Sequence, residues 1–305
     1  MCLDLTGCKI RTVRNRCTKE DKMNQTKLRT PRHTRLLAYL VVFLIFFGGA
    51  LIAMYPVLST FLNNMEHARV ARDFSSNLDE IPREQQNESL AAAQAYNSRL
   101  GSLPIYDAWN GPDNPVSPEY EDYLSHLADT EVMGQLTIPS IQSNLPIYHG
   151  TAGDTLEKGL GHLYGTSLPV GGASTHSALT GHTGMVNATL FDNLIDVVEG
   201  DAIYVRTAGQ DIKYEVSNIQ VVLPHETEAL QVVEGEDLLT LITCTPYGVN
   251  THRLLVTGHR VPMDPEEARI FDNAIRVLEP WMILVGSLVL LALLAVLVRV
   301  FRKRK

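Results

Sequence analysis

The sequence predicts a mainly β domain, a closed barrel or sandwich of short strands, held between two transmembrane helices. Three observations predict it: two long apolar runs without charge, basic residues clustered at both chain ends, and seven short β-rich runs separated by turn residues in between.

Residues 1–35 form a basic tail, with ten Lys or Arg before Leu36 against three acids. The tail has no apolar periodicity and reads as disordered. Leu36 to Tyr55 is an unbroken charge-free run, and roughly 20 residues at about 1.5 Å rise span a ~30 Å hydrocarbon core. The run exceeds the 7–15 residue core of a cleaved signal, and no A-x-A site follows closely, so an uncleaved anchor over 36–58 is expected. Trp281 to Val298 is a second such run, followed over 299–305 by Arg299, Arg302, Lys303, Arg304 and Lys305 with no acid. Basic residues at both ends predict a two-pass protein of the cell membrane, with both termini cytoplasmic and residues 60–280 outside. Cys2, Cys8 and Cys17 then lie on the reducing side as free thiols without structural duty. Met23 is an alternative start, since everything the topology needs lies after it.

Between the spans, Asn63–Gln94 is charged and helix-forming, with Met65, Ala68, Val70, Ala71 and Phe74 giving a weak helical stripe; it reads as a stalk. Gly101–Pro118 is turn chemistry in which Trp109 must pack on something. From Glu131 onward the β-rich runs are Met133–Ile138, Leu145–Tyr148, Ser177–Thr180, Ala202–Arg206, Ile212–Val222, Leu238–Thr243 and His252–Val261. Short helices are expected at Pro118–Ala128 and Thr189–Ile195.

The whole chain carries 26 basic and 34 acidic residues. Without the tails, 11 basic face 31 acidic, a charge of about −20 for the outer part. Such a surface argues against nucleic acid or anionic lipid as ligand and favours basic partners such as exposed lysines. One Cys, no H-x-x-x-H pair and no C-x-x-C in this part argue against a metal site, and no phosphate loop or dinucleotide fingerprint points to a cofactor.

Cys244 is the single cysteine between the spans. It cannot form an internal disulfide there, and an exported free thiol is an oxidation liability, which points to nucleophilic chemistry. A thiol of pKa about 8.5 needs a nearby cation or base to become a nucleophile. Arg253 follows nine residues later, after a Tyr247–Asn250 turn; paired strands would return its guanidinium to the sulfur, although an ordinary surface arginine is the competing reading. Ten histidines are candidates for the base. His182 stands out because Gly181 and Gly184 flank it at the end of an apolar strand, where an imidazole reaches solvent; His162, His176, His225, His252 and His259 lack that setting.

The run Thr240-Leu241-Ile242-Thr243-Cys244 with Arg253, together with Leu179-Thr180-Gly181-His182-Thr183-Gly184, resembles the cysteine and histidine motifs of sortases. The resemblance is greatest to the class C, pilus-assembling branch, which carries a second membrane span and an N-terminal lid with an Asp-Pro-aromatic motif. Asp107-Ala108-Trp109 looks like that lid, with Ala108 in place of proline. Losing the proline removes roughly 0.4–1 kcal/mol of entropic support for the closed lid. The resemblance implies an eight-stranded sortase β-barrel over 131–264, a stalk and lid over 59–130 and a linker over 265–280. It further implies Cys244 as nucleophile, His182 as general acid or base, and Arg253 as electrostatic support. Asp107 should face Arg253, and Trp109 should cover Cys244.

By that likeness the chain is a cysteine transpeptidase without cofactor. It would cut a Leu-Pro-x-Thr-Gly sorting signal of a pilin or surface protein between Thr and Gly through a thioacyl enzyme. The acceptor would be a pilin lysine or, in the housekeeping alternative, a peptidoglycan precursor amine. A cysteine hydrolase that releases its acyl group to water is chemically open to the same residues.

Overall fold

Short runs that alternate between a core face and an outer face build the barrel. A computed structural model describes residues 32–101, 105–109, 117–272 and 278–302. The tail to residue 31 with its three cysteines and Met23, residues 110–116 of the turn-rich segment, 273–277 of the linker and the final Lys303, Arg304 and Lys305 lie outside the described residues.

Eight strands close into one sheet: β1 (Gly134–Ile138), β2 (Ser143–His149), β3 (Leu160–His162), β4 (Thr175–Thr180), β5 (Ala202–Thr207), β6 (Gln210–Val222), β7 (Asp237–Thr245) and β8 (His252–Val261). Their order is β1-β2-β3-β4-β7-β8-β6-β5, and β5 pairs back onto β1. Two neighbours are parallel, β2 with β3 and β4 with β7. Seven of these strands match the runs read from the sequence. β3 escapes because three residues are too few to display a period.

Along β4, β7 and β8 alternation separates two apolar sets. Leu179, Leu241, Leu254 and Val256 belong to the main core. Their neighbours Ala178, Ile242 and Leu255 form a second cluster on the opposite, outer face. That outer face carries the candidate site.

The chain divides by contacts into residues up to Ile52 and those from Ala53 onward. In the first unit helical residues such as Phe43 and Ile45 are exposed, and Phe43 stacks on Phe47 one turn away. The helix is α1 (Arg32–Glu80), and α5 is Pro280–Arg302. The stretches Leu40–Glu80 and Pro280–Arg299 are long and apolar enough to cross a membrane.

In the second unit the residues read as a stalk lie along the barrel. Phe74 and Leu78 of α1 are buried with Val132. Ser75 hydrogen-bonds the Gln135 side chain, whose amide donates to Asn144 Oδ1 (2.8 Å) and to Phe271 O (3.1 Å). Helix α2 (Arg83–Arg99) buries Ala93 and Tyr96 in the main core, and its Asn97 makes a two-way bond with the Leu168 backbone. Helix α3 (Pro118–Ser125) starts on a Ser117 cap with proline at its first position. A short α4 (Gly153–Lys158) precedes β3. The helix expected at Thr189–Ile195 is a 3-10 turn, Asp192–Asp196. The linker begins as another, Pro265–Phe271, with Phe271 fully buried.

Replacing Phe74 with Ala should therefore cost about 3–5 kcal/mol and lower the thermal midpoint of the detergent-solubilised chain. A midpoint unchanged from wild type would mean that α1 is not packed on the barrel.

Candidate active site

Register sets the site. β4 runs parallel to β7 with Thr180 opposite Ile242, and the pairing continues beyond the strand: Gly181 N donates to Ile242 O (3.0 Å) and Thr243 Oγ1 donates to Gly181 O (2.8 Å). Two residues past Thr180 and Ile242, this register brings His182 level with Cys244. On the other side of β7, Cys244 pairs directly with Arg253 of antiparallel β8. Directly opposed residues share a face, so the thiol and the guanidinium project together from the outer surface. The Tyr247–Asn250 turn expected between them is present, with the Val249 and Asn250 amides donating to Pro246 O.

Gly181 is required by close approach. A Cβ there would lie 2.6 Å from the Phe191 ring and 2.7 Å from Leu160. The loop after His182 is tied down by Phe191 N, which donates to His182 O (3.0 Å). Asp192 Oδ1 accepts from Gly184 N (2.7 Å) and Thr183 Oγ1 (3.0 Å). Burial raises the Asp192 pKa, with these two bonds opposing it.

Residues Ile105–Trp109 lie over this surface. Asp107 takes both forks of Arg253, Oδ1 from Nε at 2.6 Å and Oδ2 from Nη2 at 2.8 Å, and each side chain is only 7% exposed. The remaining guanidinium nitrogen donates to the Asn250 and His252 carbonyls. The Trp109 indole stands 4.6 Å from the Arg253 guanidinium and donates from Nε1 to His182 Nδ1 at 3.3 Å. Ala108 is buried among Leu163, Ala178, Leu230, Ile242 and Leu255, with Ile105 and Trp109 packed beside it. The predicted pairing of Asp107 with Arg253 is thus present, while the indole's nearest polar partners are His182 and Arg253. Cys244 is 8% exposed.

These contacts and burial bias the protonation states. Nδ1 of His182 accepts a hydrogen bond from the indole N–H, as a neutral imidazole with its own proton on Nε2 does. Burial lowers the His182 pKa in the same sense. Burial also raises the Cys244 pKa; the Arg253 charge opposes that rise and the Asp107 charge adds to it. Both shifts favour the uncharged forms, a thiol and a neutral imidazole.

Among the other histidines, His162 is fully buried between Tyr123 OH (3.0 Å) and Ser167 O, and burial pushes its pKa down to about 4. His176 bonds Gln231 O and Thr240 Oγ1, and burial lowers its pKa too. His225 is exposed. Sequence reasoning missed Asp192, which has no motif and joins the site only through the loop that returns it, and Thr180. The Thr180 hydroxyl, two residues before His182, is buried without a hydrogen-bond partner among the described residues.

The model of the family described as "Sortase domain" matches residues 136–261. Among solved structures, the chain is similar to sortase C-1 from Actinomyces oris, with 57% identity over 59% of this chain and 99% of that one and a TM-score of 0.58. It is also similar to sortase A from Corynebacterium diphtheriae (48%, 68% and 99%, TM-score 0.61) and to Sortase C of Streptococcus pneumoniae (37%, 64% and 97%, TM-score 0.58).

Removing the Asp107 or the Trp109 side chain should expose the thiol. Asp107→Ala leaves the Arg253 charge unpaired, and breaking a buried pair costs about 3–5 kcal/mol, so alkylation of Cys244 by iodoacetamide should accelerate tenfold or more. Its pH profile should move to lower pH, because an acid that raises the thiol pKa has been removed and water admitted. Trp109→Ala should also accelerate alkylation. Wild-type rates in both variants would show that Ile105–Trp109 does not guard the thiol.

Proposed function

The chain belongs to the sortase family and to its class C branch, and on that premise we propose that it joins pilin subunits from the outer face of the cell membrane. It cleaves a Leu-Pro-x-Thr-Gly-type signal between Thr and Gly and passes the acyl group to a pilin lysine. Residues 1–35 and 299–305 are cytoplasmic tails, 36–58 and 281–298 the two spans, 59–130 the stalk and lid, 131–264 the catalytic barrel and 265–280 a linker. The two apolar helices and the basic residues beyond them support this topology.

Chemistry begins when the lid leaves. Its departure hydrates the sulfur and withdraws the Asp107 carboxylate, and both changes lower the Cys244 pKa. His182 then takes the thiol proton, and the thiolate attacks the threonine carbonyl carbon. Arg253, freed from Asp107, stabilises the oxyanion of the tetrahedral intermediate. Collapse breaks the Thr–Gly C–N bond as His182 returns its proton to the departing glycine amine, leaving a thioester on Cys244. A lysine amine attacks that thioester, gives up its proton to His182 and leaves with a new isopeptide bond, which restores the thiol.

The observation that carries this reading is the bidentate hold of Asp107 on Arg253. The group best able to stabilise an oxyanion is occupied by the chain's own carboxylate, so a substrate must displace the lid to use it. That suits a macromolecular donor presented at the membrane better than a freely diffusing small ester. The acidic outer surface favours an approaching lysine.

The chain in detergent, given a Leu-Pro-x-Thr-Gly peptide and a lysine-bearing pilin segment, should form the amine-linked product, and Cys244→Ala should abolish it. Free acid alone would identify a hydrolase. Turnover that survives Cys244→Ala would remove the proposed nucleophile.

A further inference from the structure

A cavity of about 510 Å³ opens at the opposite end of β4 from His182. Its walls come from the last turn of α2 (Asn97, Ser98), the loop before β4 (Gly172, Ser174), His176 at the start of β4, and Leu230 and Val232 beyond β6. Among the described residues no lining side chain is a carboxylate, an ammonium or a guanidinium. His176, the one titratable group among the described lining residues, has both ring nitrogens engaged, by Gln231 O and Thr240 Oγ1. The volume lies in the ~300–1,000 Å³ range of ligand pockets, and the mix of hydroxyls, amides and a few aliphatic groups suits a neutral polar chain.

The cavity shares two residues with the apolar surface beside the candidate active site. Ile105 and Leu230 line it and also pack on the outer apolar strip of Ala178, Ile242 and Leu255, which leads to Cys244. His176 precedes His182 by six residues, or about 20 Å of extended strand. The apolar Leu-Pro end of a sorting signal matches the apolar strip, so its acyl side runs from the sulfur toward the cavity. Four residues, Leu to Thr, cover about 13 Å of that path. The next few residues upstream reach the cavity. It stands open in the same structure in which Asp107 holds Arg253, so docking there does not wait for the lid to leave.

We propose that this cavity is a second docking site for the acyl donor, taking the uncharged, extended residues that immediately precede the sorting signal. The inference rests on the donor class assigned above and adds where recognition outside the five-residue motif occurs. Charged upstream residues are disfavoured because the described wall offers no ionic partner: Asp237 beside it, accepting from Gly172 N at 2.7 Å, is already paired with Arg260 at 3.1 Å.

The test is binding of fluorescent peptides to the full-length Cys244→Ala chain in detergent, read by anisotropy. The Leu-Pro-x-Thr-Gly motif alone is compared with the motif preceded by four uncharged polar residues and with the motif preceded by four glutamates. Ser98→Trp and Ala173→Trp, both at exposed lining positions, fill the cavity far from the thiol. The neutral extension should tighten binding about tenfold, the scale of two net hydrogen bonds, and the acidic one should not. Both tryptophan variants should erase the gain while binding the short peptide as before. Equal affinity for short and neutral-extended peptides, or a gain that survives both tryptophans, would overturn the assignment. Cys244-dependent turnover of the short peptide by the wild-type chain, run alongside, reports separately on the catalytic reading.

Discussion

Parallel pairing of β4 with β7 and antiparallel pairing of β7 with β8 are the constraint on which the site depends. A shift of one residue in either register would turn Cys244 or its neighbour strand's side chains to the other face of the sheet. The register is held by alternation itself: Leu179, Leu241, Leu254 and Val256 fill the barrel, so Ala178, Ile242, Cys244, Arg253 and Leu255 must face outward. Gly181 then lets the backbone pass under Phe191 and continue to His182.

The outer face so produced is apolar and charged at once, and water would compete for both properties. The short segment Ile105–Trp109 resolves this by covering the apolar strip with Ile105 and Ala108 and neutralising Arg253 with Asp107. One consequence is chemical. With the indole donating to His182 and the Asp107 charge acting on the thiol, the covered site favours a protonated sulfur and a neutral imidazole. An exposed thiolate is open to oxidation, and a covered thiol is shielded from it.

Much of this was legible in the sequence, for local reasons. Cys244 and Arg253 flank one short turn, so strand pairing alone predicts their meeting. His182 stood out by its glycines, and Asp107 and Trp109 by their likeness to a family lid. The rest depends on long-range contacts. β3 pairs with β2 and β4 but spans only three residues, and Asp192 reaches the His182 loop only after the chain has turned back. Helices α1 and α2 read as a stalk because buried Phe74, Leu78, Ala93 and Tyr96 are sparse among charged residues. The cavity beside His176 draws on segments from Asn97 to Val232, and no local pattern announces it.

The central claim is that Cys244 forms a covalent acyl intermediate in the groove it shares with His182 and Arg253. Intact-mass spectrometry of the chain quenched in acid after mixing with a sorting-signal peptide, followed by peptide mapping, tests it most directly. The account predicts an added mass equal to the peptide up to its threonine, carried as a thioester on Cys244 and released by hydroxylamine. A chain that turns over the peptide with no adduct on Cys244, or with the adduct on another residue, would contradict it.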